Sequence, residues 1–115
     1  MQIAIGSSGI HVKAEGNLQN PLPKGFVTSI HEHPFAHVTM VFAGFVLAEW
    51  MNADGTVKKS VELRAPAFVE IPAHTLHRMT VLKAGSIYWC VFAERDPVDG
   101  SVAGRRTGWE GAWQS

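Results

Sequence analysis

Residues 25–44 read GFVTSIHEHPFAHVTMVFAG, and this stretch decides the fold. It opens and closes on glycine, is apolar and β-prone at both ends, and carries His31, His33 and His37 between them. In an extended chain residues i and i+2 point to the same side, so His31 and His33 aim two imidazoles at one point. His37 shares their parity. Pro34 cannot donate to a ladder and marks a bend or a strand edge between them.

Working outward from this stretch, strand and turn signals repeat while helical signals are almost absent. Ile3–Ile5 and Ile10–Ala14 read as short opening strands around Gly6-Ser7-Ser8-Gly9. Asn20–Gly25 is a loop by its prolines and glycine, and Phe26–His31 is apolar and β-prone. His37–Ala43 and Phe45–Met51 follow as apolar strands around Gly44, and Asp54-Gly55 carries a hairpin signal. Thr56–Leu63 alternates, with Val57, Val61 and Leu63 on one side, which predicts a half-buried strand. Ala67–Ile71 ends at Pro72, and His77–Lys83 with Ser86–Glu94 reads as a hairpin around Ala84-Gly85. Many short strands with regular turns predict an all-β sandwich or small barrel.

The chain of 115 residues fits one domain. The strand-bearing region ends near residue 95. Residues 96–115 are loop-like, with Trp109 and Trp113 four apart, and are expected to form a tail that packs on the barrel or is partly disordered. Only 17% of the residues are charged, which leaves room for a second subunit to cover surface, and a homodimer is expected. Basic and acidic residues balance at ten each, and Lys58-Lys59 and Arg105-Arg106 are isolated pairs, so no nucleic-acid partner is expected. The single cysteine, Cys90, lies in an apolar run and reads as a buried thiol. No stretch approaches a membrane span or a secretory leader, and a cytoplasmic location is the simplest expectation.

Four of the six histidines fall at 31, 33, 37 and 77. Neutral imidazole is the commonest protein ligand for zinc, iron, copper and nickel. Two ligands from one segment and a distant one, His77, from another strand are how a β scaffold builds a rigid metal site. His74, three residues before His77, is expected in a turn at the rim, and His11 has no histidine neighbour in sequence. Phe26, Met40, Phe42, Met79 and Tyr88 are candidate pocket residues, Met79 because it shares parity with His77. Glu70 and Arg64 are further polar possibilities. No glycine-rich phosphate loop, Cys-X-X-Cys pair or nucleophile elbow is present.

The same residues resemble the cupins. Gly25, His31, His33, position 37 and Gly44 have the spacing of the first cupin motif, and Pro72 with His77 matches the proline and histidine of the second. The resemblance spans about residues 25–83. The motif's usual glutamate is His37 here, a histidine also found there among cupins. His74 stands at a motif glycine, Pro66 at its opening glycine and Val81 at its closing asparagine. The resemblance implies a single-domain jelly-roll β-barrel with one divalent metal ion (Fe, Mn, Ni, Zn or Cu) in its mouth, held by His31, His33, His37 and His77.

Four neutral imidazoles leave such an ion with a charge of about +2, which favours an anionic or chelating oxygen ligand. The expected function is a metal-dependent enzyme acting on a small organic molecule. Oxygenase, isomerase and lyase chemistry all occur in the family, and the dioxygenase type is favoured here. The alternatives are a non-catalytic module binding a small ligand and a structural metal site.

Overall fold

The computed structural model describes residues 2–5 and 10–93. Residues 96–115, and with them the expectations for Trp109 and Trp113, lie outside the described residues. Eight strands run in order: β1 Gln2–Ile5, β2 Ile10–Glu15, β3 His37–Ala43, β4 Phe45–Met51, β5 Val57–Arg64, β6 Ala67–Ile71, β7 His77–Val81 and β8 Ile87–Ala93. They form an antiparallel five-stranded sheet in the order β1-β2-β8-β3-β6 and a three-stranded sheet in the order β5-β4-β7. The all-β class expected from the turn pattern is what the chain adopts. The strands do not close into a barrel, because the two sheets are not joined to each other by a ladder. The architecture is the two-layered form of a jelly roll.

A further expectation is corrected. β7 and β8 are not a hairpin: they lie in different sheets, and the turn at Ala84-Gly85 carries the chain across the gap between layers. β3 and β4 part in the same way at Gly44. The two crossings pack on each other. A Cβ on Gly44, whose φ is +83°, would sit 2.1 Å from Ser86 Oγ, so a side chain fits neither the space nor the backbone. Ser86 is fully buried, donates to the Lys83 carbonyl at 2.7 Å and accepts from the Phe45 amide at 3.1 Å.

The β-prone stretch Phe26–His31 does not form a continuous strand. It touches the smaller sheet through two isolated bridges, Val27–Thr80 and His31–His77, and a third bridge, Leu22–Ser86, precedes it. Between Val27–Thr80 and His31–His77 the segment advances four residues while β7 retreats three, so one residue is left over and the ladder breaks.

The core fills the space between the layers. Val41, Ile71 and Tyr88 come from the larger sheet, and Val46, Ala48, Leu63, Met79 and Val81 from the smaller. Strand alternation places these residues inward, and His37, Thr39 and His77 share their facing. The opposite face of the larger sheet is also apolar. Phe68, Met40 and Trp89 sit side by side across three strands, Phe42 meets Trp89 edge-to-face, and Phe68 is 72% exposed.

Candidate metal centre

The four histidines at 31, 33, 37 and 77 meet at one end of the gap between the sheets. His77 opens β7 of the smaller sheet and His37 opens β3 of the larger one. His31 and His33 come from the segment that leads into β3. His31 and His77 are antiparallel partners: each amide donates to the other's carbonyl, at 3.1 and 2.9 Å. Such a pair puts both side chains on the same side of the ladder, and their ring centroids are 4.3 Å apart. His33 lies 4.9 Å from His31 and 5.5 Å from His77 by ring centroid, and His37 lies 5.2 Å from His33 and 5.1 Å from His77.

His31, His33 and His77 each offer a ring nitrogen, and these three atoms lie within 4.8 Å of one another. That spacing suits a common ion, since nitrogens each about 2.0–2.1 Å from one zinc cannot be more than about 4.2 Å apart, a small adjustment from the observed limit. Two of the rings are already turned. His31 Nδ1 donates to the Ser29 carbonyl and His77 Nδ1 to the Thr75 carbonyl, both at 2.8 Å. With the proton on Nδ1, the lone pair sits on Nε2, which is the ligating tautomer. The sequence does this twice by the same device, a carbonyl two residues upstream.

His37 completes the group in a different way. It is 4% exposed, and neither of its nitrogens has a hydrogen-bond partner. A buried imidazole with two unmatched nitrogens is costly, and one of them coordinating an ion would remove part of the cost. The donor set therefore fits a divalent cation on three independent counts: convergence, tautomer and an unmatched buried donor.

Burial and mutual repulsion favour the neutral form of His33, His37 and His77. Desolvation pushes the His37 pKa down to about 4, with the imidazoles of His77, His33 and His31 adding to it. His77 and His33 are lowered chiefly by burial as well, and the Lys13 ammonium contributes at His33. Neutral rings at pH 7 are the form that binds metal.

A cavity of about 450 Å³ opens onto all four histidines and is also lined by Thr28, Phe35, Met79, Tyr88, Cys90 and Phe92, with Lys13 and Glu15 from β2. Among the expected pocket residues, Met79 and Tyr88 line it. Phe26, Met40 and Phe42 do not. Phe26 packs against the core cluster, while Met40 and Phe42 alternate with the inward-facing Thr39 and Val41 and so point to the far face of the sheet. Glu70 and Arg64 are exposed, Arg64 resting over the Phe45 ring at 3.9 Å. Burial raises the pKa of both the Tyr88 phenol and the Cys90 thiol, so neither is ionised near neutral pH.

His74 is exposed and does not join the donor set, yet its backbone serves the site. It holds a left-handed φ of 58°, and its amide donates to the His33 carbonyl at 2.8 Å. The turn that a glycine makes in the cupin motif is thus kept with a histidine in it, at some steric cost. Sequence reasoning missed Lys13, Glu15 and Thr28. The alternation of Val12, Lys13, Ala14 and Glu15 invites the opposite reading, with the charges in water.

No family model matches the chain, and no curated protein sequence does. Solved structures do match. An oxalate oxidase bound to the substrate analogue glycolate is 20% identical, with a TM-score of 0.55 over 72% of this chain and 40% of that one. A mutant oxalate decarboxylase of Bacillus subtilis is 16% identical, with a TM-score of 0.59 over 75% of this chain and 21% of that one. A cupin superfamily protein from Desulfitobacterium hafniense is 12% identical, with a TM-score of 0.56 over 82% of this chain and 77% of that one. The chain thus spans well under half the length of the two oxalate enzymes it matches. At such identities the likeness is one of fold, and the fold of this chain is cupin-like.

Proposed function

We propose that the chain is a metal-binding cupin in which His31, His33, His37 and His77 hold one divalent ion beside a cavity that takes a small organic molecule. The observation that carries this reading is the convergence of three imidazole nitrogens within 4.8 Å, two of them with their tautomer fixed by backbone carbonyls. The site differs from a structural one in its surroundings. A structural ion is enclosed by protein ligands, whereas here a cavity of about 450 Å³ borders all four rings.

The bound ion would supply Lewis acidity to an oxygen donor of the substrate and, if iron, a means of engaging dioxygen. The chain's own residues orient and enclose. The Phe35 and Phe92 rings stack at 4.3 Å and, with Met79 and Tyr88, present an apolar wall that keeps water from the buried side. Phe35 also stacks on His33 at 5.0 Å, which steadies that ligand's plane. Oxygen-dependent conversion of a bidentate oxygen compound is the activity favoured by a histidine-only donor set. Reversible holding of the same compound is the alternative. The apolar outer face around Phe68, Trp89 and Phe42 is the surface that a homodimer would cover.

The test uses protein purified without a histidine tag. Cobalt(II) titration followed by absorbance is expected to give one ion per chain, and His77→Ala is expected to weaken binding by roughly 100-fold or more, beyond the 10- to 100-fold typical of losing a supporting partner. Affinity unchanged by that substitution would overturn the site. The ferrous protein is then offered acetylacetone in an oxygen electrode, with His31→Ala as the control. Uptake confined to the wild type supports the enzyme, and tight binding without uptake supports the holding module.

A further inference from the structure

β2 is an interior strand, with β1 on one side and β8 on the other. Its register places Lys13 opposite Cys90, which is itself opposite Thr39, and Glu15 opposite Tyr88, which is opposite Val41. These rows face the cavity and the core, and their other members are apolar or weakly polar. Two formal charges at inward positions of an interior strand break the pattern that governs the rest of the sheet. Among the described residues that line the cavity, Lys13 and Glu15 are the ones with charged side chains at neutral pH. Departures of this kind, where local patterning fails beside a cleft, are expected at functional sites.

The pair is not a structural clamp. The Lys13 ammonium stands 3.7 Å from the Glu15 carboxylate, and the lysine side chain is 53% exposed. Ion pairs so long and so wet hold little energy, so the ammonium is free to turn to a better partner.

We infer that Lys13 anchors the cavity's ligand, and that this ligand is a small organic carboxylate with an apolar body, its carboxylate on the Lys13 ammonium and its remaining oxygen donors toward the histidines. This rests on the metal-binding reading above. The cavity then has two positive poles, the ammonium and an ion whose charge four neutral imidazoles leave undiminished. Phe35, Phe92, Met79 and Tyr88 line the same cavity. A volume of about 450 Å³ accommodates a single-ring molecule.

The experiment compares two probes that chelate alike, catechol and 3,4-dihydroxybenzoate, on zinc-loaded protein by titration calorimetry. Zinc content is measured before either probe is added. The wild type is expected to bind 3,4-dihydroxybenzoate tenfold or more tightly than catechol. Lys13→Met is expected to bind the two within twofold of each other at unchanged zinc content, and Lys13→Arg to recover part of the preference. A preference that persists in Lys13→Met, or a zinc-loaded wild type that shows none, overturns the inference and leaves the metal site standing. A wild type that takes up no zinc overturns both.

Discussion

Strand β7 carries polar groups on both of its faces, and the two sides solve the same problem in opposite ways. On the outward side Arg78 and Thr80 flank Glu49 of β4, its register partner at Arg78. Glu49 is 6% exposed, accepts two bonds from the Arg78 guanidinium at 3.2 and 2.9 Å, and accepts a third from the Thr80 hydroxyl. Nothing is wanting there. On the inward side His77 meets His31, His33 and His37, and both nitrogens of His37 go unmatched. A buried polar group that is satisfied within the chain is architecture. One that is left open by a chain able to close it points outward, to something that is not the chain.

The comparison can be broken at its satisfied end first. Arg78→Ala leaves the Glu49 carboxylate buried with only the Thr80 hydroxyl, and is expected to destabilise by about 2–3 kcal/mol. Urea denaturation measures it, and a loss under about 0.5 kcal/mol would mean that the pair is no more than a surface contact.

Acid separates the two sides without mutation. The folded pKa of His37 is depressed from 6.5 to about 4, so between those values the unfolded chain binds the proton that the folded chain refuses. Stability of the metal-free protein is therefore full above about pH 6.5 and falls as pH drops toward 4, by an amount on the order of 3 kcal/mol. Glu49 is held below its ordinary value by the Arg78 hydrogen bonds, so its contribution persists through that window and is lost only at lower pH. Denaturant midpoints from pH 7.5 to 4.5 in chelator would show the slope, and His37→Leu should flatten it.

The same substitution gives the sharpest contrast at fixed pH. In chelator His37→Leu is expected to raise stability by about 1 kcal/mol, because it removes two unmatched nitrogens at similar volume. A fall instead would show that the imidazole has a partner in the metal-free protein. The smallest expected effect is at the rim. His74→Gly relieves a left-handed residue and should gain up to about 1 kcal/mol, offset by the freer unfolded chain, with no loss of metal affinity.

Much of this was legible beforehand, for identifiable reasons. β3, β4, β6 and the start of β7 follow from runs bounded by Gly44, Pro66 and Pro72, and the donor set follows from the parity of His31 and His33. The segment 26–31 is β-prone in composition, but its pairing carries one residue too many for a continuous ladder. Pairing partners escaped for a related reason. A turn of a few residues reads as a hairpin whether the strands that follow share a sheet or part into two, and only the contact of Gly44 with Ser86 distinguishes the cases. Lys13 and Glu15 were invisible as cavity residues because alternation gives two faces without saying which is inside. Here Val12, at 3% exposure, is buried on the other face of the same strand.

The reciprocal main-chain bonds between positions 31 and 77 bear on how the site could change. The backbone, and not the imidazoles, keeps those two positions opposed. Side chains there are interchangeable fittings on a fixed mount, and a pair of thiolates in reducing conditions would still converge. If the histidines hold an ion as proposed, exchange at these two codons would move the preference from borderline ions toward soft ones.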